Sequence, residues 1–269
     1  MIAENLEAIY AELPQGVRLV AVSKFHPVPQ LLETYAMGQR AFGENRPQEL
    51  AAKAVQMPPD VEWHFIGHLQ TNKLKLVLPY ARIVESVDSV HLLDAIQDWA
   101  ARNGRVVRVL LEVHIGAEET KQGFTPEEVL ELLGSNVSCL SVGDRGTPPE
   151  GRNTRGSVAG GPSRRDGGVS LEGELPKGVR PVATPCSICN LYPNIVFCGL
   201  MGMASHTDDE GTVAADFARI KSLFDRCRAE FPELAEFTEL SIGMSDDWRI
   251  ALRHGSTEVR IGTAIFGPR

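Results

Sequence analysis

The sequence predicts an α/β fold, a single-domain TIM (β/α)8 barrel over residues 1–269, on three observations. Short β-like runs alternate with helical patterns along the chain, which implies parallel strands joined by helices. The β-like runs number eight, the count at which such a sheet closes on itself, and about 210 residues carry the regular pattern, near the low end for that barrel. An open doubly wound sheet is the other architecture the alternation permits.

Taken in order, apolar residues at helical spacing mark a helix over residues 2–13, and the run VRLVAVS marks a first strand over 17–23. Helices over 28–37, 47–56, 69–78 and 90–103 then alternate with strands over 41–43, 63–67, 83–87 and 106–115. Helical spacing marks a further helix over 126–133. Strands over 197–203, 239–242 and 258–261, with a long helix over 211–231 and a shorter one over 246–254, complete the eight units.

Residues 135–190 interrupt the pattern ahead of the sixth strand. This stretch holds 10 of the 25 glycines and 6 of the 17 prolines, and its middle has almost no large apolar side chain. Such a composition does not repay the entropy of ordering, so a long, irregular, disordered insertion in a surface loop is expected. Its basic excess is small and carries no interleaved aromatic residues for stacking on bases.

The net charge of −8 and pI near 5.4 give no long-range attraction to nucleic acid or anionic lipid, so a bound phosphate must be caught by a local site. No run reaches the length of a membrane span, and MIAENLEAIYAEL has acids where a signal peptide needs a basic and then an apolar stretch, which predicts a cytoplasmic protein. Five cysteines make no disulfide framework, and CSIC at Cys186 and Cys189 lacks the two further ligands of a zinc site, so no metal is expected. The oligomeric state is left open, with a monomer as the simplest expectation.

Lys24 stands where the first apolar run stops and the turn FHPVP begins. An amine held among apolar neighbours at the mouth of a core has its charged form disfavoured and is available to attack an aldehyde. The other reading of this segment is an ordinary lysine ending a strand, its stem packed and its head in water. Near the C-terminus, LSIGMSDDW and VRIGTAIFG place glycines at two consecutive strand ends. Ser241, Gly243, Met244 and Ser245 in the first, with Arg260, Gly262 and Thr263 in the second, offer backbone N–H groups, hydroxyls and a guanidinium to a phosphate. The seventh and eighth strand ends are where such barrels often hold one. Neither turn is the nucleotide-binding GxxxxGK[ST] loop. Glu44, Asn45, His68 and Ser86 end three upstream strands and are expected on the same rim. His64 reads as a packed strand residue, and His26, His91, His114, His206 and His254 show no ligand spacing. Asp246 and Asp247 read as first-turn complements to a helix dipole.

Together AVSKFHP, FGENRPQEL, HFIGHLQTNK, GLMGMA, SIGMSDD and VRIGTAIFG, in this order, resemble the pyridoxal phosphate homeostasis proteins, the group that includes the proline synthetase co-transcribed homologues. The resemblance implies a barrel similar to the N-terminal domain of alanine racemase, with pyridoxal 5'-phosphate held on Lys24 as a Schiff base. It implies Ser241, Gly243, Ser245, Arg260, Gly262 and Thr263 at the phosphate end, and Asn45, His68 and Met203 beside the ring. A carrier and regulator of the cofactor and of amino-acid balance is implied, without established catalysis, with pyridoxal-phosphate-dependent apoenzymes as recipients. A racemase of this barrel type takes a catalytic tyrosine from a second, all-β domain. Here the chain runs only from the eighth strand to Arg269, and none of Tyr10, Tyr35, Tyr80 and Tyr192 lies at an expected strand end. A pyridoxal-phosphate-dependent amino-acid racemase is the alternative.

Overall fold

The computed structural model describes residues 2–115, 122–135 and 187–267. Eight strands form a closed barrel in sequence order, β1 (Arg18–Val22), β2 (Ala41–Glu44), β3 (Glu62–Phe65), β4 (Ala81–Val87), β5 (Val107–Val113), β6 (Ile195–Gly202), β7 (Glu239–Ser241) and β8 (Glu258–Ile261). Every pair is parallel, and β8 closes onto β1 with Val20 opposite Arg260. All strand C-terminal ends therefore face one mouth, where polar residues just beyond the strands converge.

Helix α1 (Ile2–Glu12) precedes β1, and the other helices follow strands: α2 (Val28–Ala36), α3 (Pro47–Ala54), α4 (Leu74–Val77), α5 (Val90–Arg102), α6 (Pro126–Gly134), α7 (Ser187–Leu191), α8 (Glu210–Glu230), α9 (Trp248–Arg253) and α10 (Thr263–Phe266). Local chemistry sets several starts. Pro47 and Pro126 occupy first-turn positions where a missing N–H costs nothing. Ser89 accepts from Leu92 N, Asp209 from Gly211 N and Thr212 N, and Thr125 with Glu128 forms a reciprocal capping box. Among the described residues no helix is long and apolar enough to cross a membrane.

Four departures from the sequence reading have local causes. The helix expected over 69–78 is a 3₁₀ turn, Thr71–Lys73, followed by the single turn α4, and Pro79 ends the run. The helix expected from Asp246 starts at Trp248, so Asp247 stands at its N-cap and accepts from Met244 N at 2.5 Å. This places the two acids ahead of the first turn rather than in it. The short α10 had no periodicity to announce it. Finally, residues 136–186 of the stretch read as a disordered insertion, with Cys186, lie outside the described residues, whereas its end from Ser187 forms α7, whose Ile188 is fully buried.

The main apolar core lies between the sheet and the helices, where Leu6, Phe42, Phe65, Ile96, Phe217 and Trp248 are buried. Inside the barrel the apolar filling is small, Ile83, Leu110, Cys198 and Met201, and charged groups occupy much of the rest. Gly243, with φ +100°, shows how tightly the site's supports pack. An added Cβ would lie 2.7 Å from Ala251 Cβ and 2.9 Å from Trp248 Cα. Gly243→Ala is expected to destabilise the fold by about 1–3 kcal/mol, through the left-handed backbone and displacement of α9. A urea midpoint equal to that of the parent protein would contradict this packing.

Candidate functional site

A cavity of about 300 Å³ opens at the C-terminal mouth of the barrel. Lys24 lies two residues beyond β1, Asn45 one beyond β2 and Ile66 one beyond β3, while Met203 follows β6 and Met244 and Ser245 follow β7. Arg260 reaches the cavity from within β8, and Gly262 and Thr263 follow that strand. Residues from positions 24 to 263 meet here because each lies at, or within four residues beyond, the C-terminal end of a parallel strand.

The cavity floor is apolar, formed by Val22, Ile66 and Met201. Its polar groups cluster at the β7 and β8 side, where Ser245 Oγ accepts from Gly262 N at 3.2 Å. Asn45 Oδ1 is buried without a hydrogen-bond partner, an acceptor left for a ligand donor. Close backbone packing fixes this residue, since a Cβ on Gly67 would fall 2.1 Å from Asn45 O.

Arg260 is almost fully buried, and two of its nitrogens hold the protein itself. Its Nη1 donates to Ser241 O at 2.7 Å and Oγ at 2.6 Å, and its Nη2 donates to Gly202 O at 2.9 Å. Beneath the floor, Ser241 Oγ donates to Glu85 Oε2 at 2.6 Å, and Glu85 Oε1 meets His64 Nδ1 at 2.7 Å. Glu258 lies 3.6 Å from the same Nδ1 and 3.3 Å from Arg18. Burial alone would raise the Glu85 pKa, but His64, Arg260 and Ser241 together hold it well below the usual carboxylate range. Glu258 is pushed the other way, by burial and then by the Glu85 charge. Burial would lower the His64 pKa, and the two carboxylates outweigh it and raise it. These side chains form a buried, hydrogen-bonded cluster beneath the cavity.

Of the residues expected at the site, Lys24, Asn45, Met203, Met244, Ser245, Arg260, Gly262 and Thr263 line the cavity. Ser241 lies below it in the buried cluster, and Gly243 makes the turn against α9. His68 points away, with Nδ1 3.2 Å from Asp88 Oδ2 and its side chain half-exposed. Glu44 is buried against Lys53, and Ser86 donates to Gly67 O at 2.6 Å, bracing the turn beside Asn45. His26, His206 and Asp246 also line the cavity, although no ligand spacing marks them. His26 stacks on Phe266 at 4.6 Å and meets Gln30 through Nδ1. Position relative to a strand end was the signal that would have found all three.

A closed parallel barrel with a lysine, an apolar floor and a cationic, hydroxyl-bearing side at its mouth defines an alanine-racemase-type barrel, and residues 1–140 match the family described as "Alanine racemase, N-terminal domain". Over its full length the chain belongs to the pyridoxal phosphate homeostasis protein family. It is 32% identical to the pyridoxal phosphate homeostasis protein of Pasteurella multocida over 96% of this chain and 90% of that one. The human protein of that name is 33% identical over 99% of this chain and 83% of its own. Among solved structures, PipY of Synechococcus elongatus PCC7942 without PLP superposes with a TM-score of 0.75 at 29% identity, covering 99% of this chain and all of that one. PipY with PLP bound gives 0.72 at 28%, with the same coverage.

Proposed function

We propose that this protein binds pyridoxal 5'-phosphate through Lys24 and acts as a non-catalytic carrier that buffers the cofactor in the cytoplasm and passes it to pyridoxal-phosphate-dependent apoenzymes. The observation that carries this reading is the presence of Lys24 in one cavity with Arg260, Ser245, Gly262 and Thr263. PLP bound to PipY, and the name its relatives share, support it. The residues fit the group: an amine for its aldehyde, an apolar floor for its ring, an unpartnered Asn45 acceptor, and a cation with hydroxyls for its phosphate.

In this reading, Lys24 condenses with the aldehyde and releases water. The Ser245 and Thr263 hydroxyls and the Gly262 turn hold the phosphate, Arg260 supplies positive potential from below, and Val22, Ile66 and Met201 keep water from one face of the ring. Asn45 and Met203 flank the ring, and Met244 closes the phosphate side. Ser241 and Gly243 act from beneath by placing Arg260 and α9. His68 belongs to this site only if the turn after β3 rearranges on binding. Tyrosine contributes nothing to the cavity: Tyr10 bonds Gln39, Tyr35 bonds Asp60, Tyr192 bonds Asp94, and Tyr80 lies outside it. That distribution favours holding over racemisation. The whole chain, residues 1–269, is taken as one domain with 135–190 as an insertion in it.

Purified protein mixed with pyridoxal phosphate is expected to gain absorption at roughly 410–430 nm, the band of a protonated imine. Borohydride should bleach the band and leave a reduced adduct on Lys24, and Lys24→Ala should abolish both. A Lys24→Ala protein that keeps the band would overturn the assignment. A racemase remains the second reading, favoured by His26, His206 and Asp246 on the cavity wall. Solvent-deuterium exchange at the α-carbon of amino acids, at turnover rates, would establish it over the carrier.

A further inference from the structure

We propose that Glu49 and Lys53, both on α3, are positioning residues for Lys24, clamping the backbone on either side of it so that its amine is presented to the cavity. This inference rests on the Lys24 reading above and extends it to residues outside the cavity wall.

The Lys53 ammonium has three protons and meets three acceptors: Ser23 O at 2.8 Å, Glu44 Oε1 at 2.6 Å and Glu49 Oε2 at 3.2 Å. It is buried, and Glu44 is fully so. Ser23 precedes Lys24, and its hydroxyl also donates to Glu44 Oε1 at 2.7 Å. On the other side, Phe25 N donates to Glu49 Oε2 at 2.9 Å. One path of hydrogen bonds therefore runs from the Ser23 carbonyl through Lys53 and Glu49 to the Phe25 N–H, spanning Lys24.

Phe25 adopts φ +69°, the only positive φ outside glycine among the described residues. A residue with a Cβ holds that conformation only where its surroundings impose it. Here α3 and the Arg46 that precedes it impose it, through the Glu49 acceptor and through the Arg46 guanidinium over the Phe25 ring at 4.5 Å. The spacing on α3 explains the division of labour: Glu49 and Lys53 are one turn apart on one helix face, so a single face grips both peptides. With both flanking peptides fixed, the Lys24 amine searches only its own side-chain rotamers for the aldehyde, and less freedom is lost on binding.

The test uses the full chain with pyridoxal phosphate as the probe. Glu49→Ala removes the Phe25 acceptor from a partly exposed side chain and leaves the buried Lys53–Glu44 pair intact. We expect a dissociation constant raised about tenfold and borohydride trapping at Lys24 slowed by about the same factor. Glu49→Gln keeps an acceptor oxygen and is expected to stay within about threefold of the parent protein. The double variant Lys53→Met with Glu44→Gln, which leaves no buried unpaired charge, should show the same loss as Glu49→Ala. Unfolding of the cofactor-free proteins is measured alongside. If Glu49→Ala and the double variant shift only that unfolding midpoint, with affinity and trapping rate unchanged, α3 is merely structural and the proposal is overturned. If the parent protein itself traps no adduct on Lys24, the reading beneath it falls too, so the two failures are told apart.

Discussion

Arg260→Met is expected to lower the folding free energy by about 3–5 kcal/mol, read as a shift in the urea midpoint at neutral pH. The magnitude follows from what the guanidinium holds. It donates to Ser241 O, Ser241 Oγ and Gly202 O, and it lies 3.7 Å from Glu85. Methionine fills most of the space but leaves two backbone carbonyls short of a donor and Glu85 with less positive charge nearby, all out of reach of water. Arg260→Lys should recover only part, because one ammonium does not reproduce the planar fork that spans β6 and β7. Ser245→Ala, on the same rim but partly exposed, is expected to cost less than about 1 kcal/mol. An Arg260→Met protein as stable as Ser245→Ala would show that the guanidinium does not tie these strands together.

The second large effect is a pH dependence centred on Glu112, on β5. Burial, and then the charge of Asp88, push its carboxyl up to about 7, against the lowering pull of Arg260. The folded protein thus keeps a proton that the unfolded chain releases at the ordinary carboxylate value. Stability from this group is complete below that ordinary value and is lost as pH rises through about 7. The loss is about 3 kcal/mol as an order of magnitude. Glu258 and His64, both raised, slope the same way, while Glu85, lowered, adds a loss only under acid conditions. The difference between parent protein and Glu112→Gln isolates the one group. The glutamine variant should lose less stability between pH 5 and 8, and parallel curves for the two proteins over that window would refute the assignment.

Much of the architecture was legible because period and position carry it. Eight β-like runs with helical spacing between them specify a parallel barrel once each run is long enough to pair. Lys24, Asn45, Met203, Ser245 and Gly262 could be marked because residues just past parallel strands share one mouth. The same rule marks His26 and His206, which have no metal-ligand spacing to single them out.

His68 and Ser241 show where position stops being enough. Both stand at strand ends, yet the turn after β3 carries His68 outward to Asp88, and the inward face of β7 takes Ser241 below the cavity floor. One residue of difference reverses a strand side chain, and a turn of three residues redirects it altogether.

The amino-acid order was sufficient for the strand count, the parallel sense, the lysine at the mouth and the paired glycine turns, since each depends on neighbours within a few residues. Barrel closure settled the rest. It brought Ser241 to Glu85 across 156 positions and Arg260 to Gly202 across 58, and it set α3 against the Lys24 turn. Those contacts depend on the register in which β8 meets β1 and on the side toward which each inward residue leans. Periodicity reports that a residue faces inward, but the partner it finds there is chosen by packing and charge in the closed barrel.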